Sequence, residues 1–233
     1  MKKLSVIMPV FNERATVEAI IDRVLAVDIP KELVIVDDCS TDGSLDLLQQ
    51  LQETRPEVRL VRHERNRGKG AAIRTGLSKV SGDVIVIQDA DLEYDPAEFP
   101  RLLGPIETGK ADVVYGSRFM GGSRRVFRLT HSLANRFLTF FSNLLTGLDL
   151  TDMETCYKMF RAELLEGIEL QSERFGIEPE LTAHFARTGV RIYEVPIAYA
   201  GRSYVAGKKI GVLDGIEAIY SIVRFNLFMK VRD

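Results

Sequence analysis

Cysteine is almost missing from this sequence: 233 residues hold two, Cys39 and Cys156. Two cannot build a disulfide framework, and neither sits in metal-ligand spacing, so a reducing compartment is expected and both are read as packing residues. Histidine is nearly as scarce, and His63, His131 and His184 are scattered too widely for a zinc site. Charge of one sign is lacking as well. Thirty-one basic against 33 acidic residues leave a formal charge of −2, so no global field draws the chain to nucleic acid, which is excluded as a partner. No run reaches the ~18 charge-free apolar residues of a membrane span. The opening MKKLSVIMPVF places two lysines before an apolar run, but Pro9, Asn12 and Glu13 cut it short and no small-residue cleavage site follows. It reads as a first strand rather than a signal peptide.

What remains is 45% hydrophobic and 27% charged, which suits one globular domain with an appended element. Short β-branched runs at residues 4–10, 33–36, 58–61 and 84–87 alternate with helical patterns at 16–27 and 44–51. That order predicts an α/β fold with a mostly parallel central sheet and helices on both faces. Ligands in such sheets bind beyond the carboxyl ends of the strands, where this chain carries three polar clusters. Beyond Arg118 come a basic stretch, a Phe- and Leu-rich helical pattern at 129–148, a strand at 190–195, a Gly- and Lys-containing loop at 201–211 and an amphipathic helix at 214–230. The expected division is a catalytic domain over 1–211 and a C-terminal helix over 212–233, either part of that domain or a membrane-interface element. No internal repeat or long linker is visible.

Gln88-Asp89-Ala90-Asp91 follows an apolar run and sets two carboxylates two residues apart at a turn, where both reach one hard cation. A metal there would offset charge on a leaving diphosphate. An isolated Asp-x-Asp is no more than a turn or cap; its place after a buried strand makes the metal site the better reading. Asp37 and Asp38 also follow a buried strand and could accept from a base N–H or a ribose hydroxyl, whereas Ser40 or Asp42 fit helix capping. Asn66-Arg67-Gly68-Lys69-Gly70 lacks the spacing and trailing Ser or Thr of a Walker loop, so nucleotide hydrolysis is not supported. Lys69 is either an anion neighbour at a helix start or a solvated residue of a tight turn.

Taken in order, Pro-Val-Phe-Asn-Glu, Val-Asp-Asp-x-Ser-x-Asp-Gly, Asn-x-Gly-Lys-Gly, Asp-Ala-Asp-Leu-Glu and Gly-Ser-Arg span nearly the whole chain. Together they resemble the inverting GT-A glycosyltransferases of family 2, and within it the dolichyl-phosphate mannose synthase group, which moves a sugar from a nucleotide-diphosphate sugar to a polyprenyl phosphate. The resemblance implies the nucleotide-diphospho-sugar transferase fold. It implies that Pro9, Phe11, Glu13, Asp37 and Asp38 surround the nucleoside of a UDP- or GDP-sugar. Asp89 and Asp91, with Mg2+ or Mn2+, would hold the diphosphate, with Lys69, Gln88 and Ala90 adjoining. Arg118, Arg128 and Ser132 match positions facing the acceptor phosphate. Arg202 matches a loop over the donor diphosphate, with Lys208 and Lys209 nearby.

The acceptor decides whether a base is needed. A phosphate monoester has its second pKa at about 6 and is already a nucleophilic dianion. A hydroxyl acceptor must lose a proton, and Asp152, with Glu154 as its neighbour, is the candidate base; toward a phosphate Asp152 would only orient the acceptor loop. The alternative function is therefore a same-fold transferase acting on a sugar or lipid hydroxyl. A sugar-phosphate nucleotidyltransferase is disfavoured because no Gly-rich basic loop follows the first strand. A non-catalytic sugar-nucleotide binder is disfavoured because both metal carboxylates are present. Phe137, Phe140, Phe141, Leu144 and Leu145 form an apolar helix side fit for core or for lipid. With Ile216, Ile219, Tyr220, Val223 and Phe228 of the last helix they favour a membrane surface as partner. Many relatives append transmembrane helices not found in this sequence, so a cytoplasmic protein, peripheral at the cytoplasmic face of the membrane, is expected.

Overall fold

A computed structural model describes residues 2–121, 129–202 and 212–228, without the side chains of Val212 and Leu213. Two expected site residues, Arg128 and Lys208, and also Lys209, lie outside the described residues.

Strands β1 (Leu4–Val10), β2 (Lys31–Asp37), β3 (Val58–Arg62), β4 (Val84–Ile87), β5 (Val113–Ser117), β6 (Lys158–Arg161) and β7 (Ile192–Pro196) form one sheet in the order β3-β2-β1-β4-β6-β5-β7. The β1–β2, β1–β4, β2–β3 and β5–β7 pairs are parallel, and β6 runs antiparallel to both β4 and β5. The helices are α1 (Val17–Ala26), α2 (Ser44–Thr54), α3 (Lys69–Leu77), α4 (Phe99–Glu107), α5 (Leu129–Thr146), α6 (Ile177–Thr188) and α7 (Val212–Leu227). Right-handed crossovers run from β1 through β3 in one direction, and the next connection returns to β4 on the other side of β1. Helices α1 and α2 therefore cover one face, and α3 the other.

Local sequence explains most of this. Every residue of β4 is buried, as continuous Val/Ile runs require when both faces are covered. Helix α1 buries Val17, Ile20, Ile21 and Val24, the i, i+3, i+4, i+7 spacing of one helix side. At ~1.5–3 kcal/mol for each fully buried aliphatic side chain, these four outweigh the marginal stability of a ten-residue helix in water. Asp42 accepts from the N–H and hydroxyl of Ser44 and from the Arg14 N–H, so it fixes the start of α2 and ties that loop to the one after β1.

Strand β2 begins two residues earlier than expected. Glu32 gathers Ser5 and Ser81, and the Lys31 ammonium donates to the carbonyls of Val27 and Ile29, so the polar start of the strand is fully paired. Strands β5 and β6 are not legible in the sequence. Both are short, and β6 opens with Lys158, fully buried because its ammonium donates to the Met153 and Thr155 carbonyls and lies 5.0 Å from the Tyr115 ring centre. A lysine so satisfied hides the apolar run that periodicity looks for.

Helix α7 packs on α5 and α6 and buries Ala218, Ile222 and Phe225. Along α5, Leu129, Leu133, Phe137, Phe140 and Leu144 form one exposed stripe, while Phe141 and Leu145 turn toward the core. Ile216, Tyr220 and Phe228 extend the exposed apolar surface from α7. No helix among the described residues is long and apolar enough to cross a membrane.

Candidate active site

Strands β1 and β4 are neighbours whose onward connections leave in opposite directions, and such a switch point opens a crevice beyond their carboxyl ends. A cavity of about 980 Å3 lies there, lined by Pro9, Phe11 and Glu13 from the end of β1 and by Asp89, Ala90 and Asp91 after β4. Asp38, Lys69, Arg118, Ser132 and Arg202 line the same cavity, so the fold gathers side chains spread over nearly 200 positions.

Asp37 and Gln88 are not among the residues that line it. Successive side chains at a strand end point to opposite faces, and Asp38 and Asp89 take the crevice side. Asp37 is fully buried and accepts from the Ser40 N–H at 3.2 Å. Gln88 is fully buried too, accepting from the Tyr157 hydroxyl at 2.7 Å and donating to the Asp89 carbonyl.

An acidic cluster surrounds one guanidinium. Arg202 pairs with both oxygens of Glu13 at 3.0 and 3.1 Å and with Asp91 at 2.9 Å, and its N–H donates to Glu93 at 2.6 Å. Tyr199 donates its hydroxyl to the other oxygen of Glu93. The turn bearing Asp91 is held by a left-handed Leu92, φ 62°, and by the Glu93 N–H donating to Asp91 at 3.1 Å; such backbone outliers gather at functional sites. Burial, followed by the charges of Asp89 and Glu93, pushes the Asp91 carboxyl up to about 7 against the opposing pull of Arg202. A divalent cation would relieve that penalty, and two hard carboxylates are the right donors for one, so the residues fit a metal. Among the described residues no set of three or more His, Cys, Asp or Glu is placed to enclose an ion. Asp89 and Asp91 would leave the remaining coordination positions to diphosphate oxygens and water.

Lys69 is not solvated. Its ammonium lies 2.9 Å from Asp89 and 2.9 Å from Glu178 of α6; burial works against its charge, yet these two carboxylates raise its pKa well above the usual lysine range. Nor is the start of α3 free to bind an anion. The N–H groups of Gly70 and Ala71 donate to the carbonyls of Arg174 and Glu173, and that of Gly68 to Asp38. A side chain at Gly70 would meet the Ser172 carbonyl at 2.5 Å, which is why glycine occupies this close approach. Asp38 also accepts from the Arg67 N–H at 2.9 Å and from His63 Nδ1 at 2.7 Å, while His63 Nε2 lies 2.9 Å from the Thr75 hydroxyl. Asp38 thus shapes the wall through the 66–68 loop. His63, to which sequence reasoning gave no role, orients it; a lone histidine between charged residues carries no signal of this.

Arg118 and Asp152 form a bidentate pair. Nε and Nη2 each lie 2.7 Å from a carboxylate oxygen, and the Arg118 N–H adds a third bond at 2.9 Å. Asp152 is fully buried and does not line the cavity, and its N–H is held in turn by Glu194. Arg118 lies 5.2 Å from the Tyr199 ring centre and faces the cavity. Glu93, Tyr199 and Glu178 line the cavity beside the candidate residues, and sequence reasoning missed them. Glu93 stands in the motif Asp-Ala-Asp-Leu-Glu without a role of its own, and Glu178 resembles any helical acid.

Glycosyl transferase family 2 matches residues 5–168. The undecaprenyl-phosphate mannosyltransferase of Micrococcus luteus is 31% identical over 229 residues, 95% of this chain and 93% of that protein. The undecaprenyl-phosphate 4-deoxy-4-formamido-L-arabinose transferase of Photorhabdus laumondii is 32% identical over 95% of this chain and 67% of its own length. Among solved structures, glucosyl-3-phosphoglycerate synthase from Mycobacterium tuberculosis, in complex with Mn2+, UDP and glucosyl-3-phosphoglycerate, matches with a TM-score of 0.72 and 25% identity over 97% of this chain and 80% of that one. The switch-point crevice, its paired aspartates and these likenesses agree: the chain is a glycosyltransferase of the GT-A fold and belongs to glycosyl transferase family 2.

Proposed function

We propose that the protein transfers a sugar, with inversion, from a nucleotide-diphosphate sugar to a polyprenyl phosphate at a membrane surface, with Mg2+ or Mn2+ on Asp89 and Asp91. The observation that carries this reading is the composition of one cavity. It is lined by carboxylates and arginines and also by Phe137, Leu138, Ile216 and Ile219 of α5 and α7, whose outer faces are apolar and exposed. A charged head group and an apolar tail can enter such a site together.

When bound, the metal would offset charge on the departing diphosphate. Glu13, Phe11 and Pro9 are the proposed nucleoside contacts, with Asp38 shaping that wall. Arg202 is proposed to exchange its carboxylate partners for diphosphate oxygens, and Arg118 with Ser132 to meet the acceptor phosphate. Asp152 sets the plane of the Arg118 guanidinium. A phosphate dianion needs no base to attack the anomeric carbon from the side opposite the diphosphate, and the configuration inverts. A hydroxyl acceptor would need Asp152 as base, a role for which its fully engaged oxygens are badly placed. Helix α7 is taken as part of the catalytic unit, its buried side closing the cavity and its outer side meeting lipid. The free thiols Cys39 and Cys156 fit the cytoplasmic face.

The test is a panel of radiolabelled UDP- and GDP-sugars with Mn2+ or Mg2+, scored for label moved into an organic phase containing a short polyprenyl phosphate. One donor is expected to give metal-dependent transfer. Transfer to a sugar or lipid hydroxyl instead would overturn the acceptor. For the membrane contact, the double variant Phe140→Ser/Leu144→Ser is expected to cut flotation with anionic vesicles at least ~10-fold while UDP or GDP binding is kept. Unchanged flotation would exclude the α5 stripe.

A further inference from the structure

The cavity wall carries two carboxyl groups that the proposed mechanism does not use, Glu154 and Glu178. Each has a buried oxygen without a hydrogen-bond partner, Oε1 of Glu154 and Oε2 of Glu178. The Glu178 side chain is 8% exposed, and its other oxygen is committed to Lys69, which in turn holds Asp89. Glu154 lies two residues after Asp152. Its carboxyl is pushed up to about 8, by burial first and the Glu178 charge second, which marks the two as close neighbours.

A buried carboxylate oxygen left unpaired is costly, of order 1–3 kcal/mol or more, and folded proteins rarely keep one without a protein group, a bound water or a ligand to satisfy it. A hydroxyl suits both groups, since it donates to a carboxylate oxygen and can equally accept from the O–H of a neutral carboxyl. The location narrows the ligand further. Glu178 reaches Asp89 through Lys69, and Glu154 feels the charges of Glu178, Arg118 and Asp152, so the pair links the side chains proposed for the diphosphate to those proposed for the acceptor phosphate. Resting on the nucleotide-sugar reading above, we propose that Glu154 and Glu178 receive hydroxyls of the donor's sugar and set its specificity. The class of sugar follows: a neutral ring with free hydroxyls at these positions is taken, and a uronic acid is rejected because its carboxylate would face two acids. The link from Glu178 through Lys69 to Asp89 ties sugar contact to the metal carboxylate.

The experiment compares calorimetric binding of UDP, UDP-glucose, GDP and GDP-mannose, with Mn2+, to the wild type, Glu154→Gln and Glu178→Gln. The deoxy analogues of whichever sugar nucleotide binds, and UDP-glucuronic acid, complete the set. For Glu154→Gln, affinity for the nucleotide sugar is expected to fall about 10- to 100-fold while the parent nucleoside diphosphate changes less than about 2-fold. The wild type is expected to discriminate against one deoxy analogue, and Glu154→Gln or Glu178→Gln to lose that discrimination, which a merely structural role would not do. Equal losses for sugar nucleotide and nucleoside diphosphate with discrimination kept, or tight binding of UDP-glucuronic acid by the wild type, would overturn the sugar-contact proposal alone. A wild type that binds none of the four nucleotides would instead remove the donor reading, and this proposal with it.

Discussion

Replacing Asp91 by alanine is expected to abolish metal-dependent transfer, lowering kcat/KM at least ~1,000-fold, about 4 kcal/mol of transition-state stabilisation. Asp89, Asp91 and Glu93 line the cavity after β4, but Glu93 is engaged by Tyr199 and the Arg202 N–H, and among the described residues no set of three His, Cys, Asp or Glu is placed to hold an ion. Loss of Asp91 would therefore remove half of the coordination proposed for the protein. Unfolding is not the expected cause. Asp91 sits with Asp89 and Glu93 close by, and burial and those charges already disfavour its ionised form. Its removal leaves Arg202 paired to Glu13 and Glu93, so the metal-free melting temperature should hold or rise slightly. The sign is consistent: a carboxyl raised in the folded state contributes most below its unfolded value of about 4, and that contribution is lost as pH rises through about 7. Near-normal turnover with ordinary metal dependence in Asp91→Ala would sink the assignment of this turn as the metal site.

The second large effect concerns Asp152. Removing one partner of a buried, bidentate ion pair leaves the other charge uncompensated, at about 3–5 kcal/mol. Asp152→Asn is therefore expected to lower the melting temperature by roughly 6–20 °C, at the 2–4 °C per kcal/mol that holds for chains of this size. Its functional signature should be a raised KM for the acceptor with donor affinity nearly unchanged, because the guanidinium it aims is proposed to meet the acceptor phosphate. The pH profile of kcat should keep its shape. If Asp152 were the base, kcat itself would fall by ~100- to 10,000-fold and the acidic limb of the profile would vanish. Arg118→Lys provides the control that survives a folding defect, since it keeps a charge beside Asp152 and loses only the planar fork. It too should raise acceptor KM, and a selective loss of donor binding in that variant would move Arg118 to the other half of the site.

Much of the donor side is legible in the amino-acid sequence. Residues 9–13 and 89–91 follow continuous β-branched runs, and a doubly wound sheet sends the ends of such strands to one edge, so chain order alone places Pro9, Glu13, Asp89 and Asp91 together. The same logic cannot separate Asp37 from Asp38 or Gln88 from Asp89. A single step along a strand end reverses the side of the sheet, and the final residue's direction depends on where the strand stops. Lys69 illustrates a different limit. Its neighbours in sequence leave a solvated turn and an anion contact equally open, and its fate is settled by Glu178, more than 100 residues away on α6.

By itself, then, the sequence determined the α/β alternation, the parallel half of the sheet and the acidic turn after β4, because these follow from local periodicity and from strand-end chemistry. Only the tertiary structure decided which carboxylates are paired and which keep an unpartnered oxygen. Asp38 is consumed by the 66–68 loop and Asp152 by Arg118, whereas Glu154 and Glu178 each keep an unpartnered oxygen in the cavity wall. The physical reason is that an acid's chemistry is set by its partners, and these partners arrive from distant segments whose meeting depends on the packing of α5, α6 and α7 and the reversed strand β6.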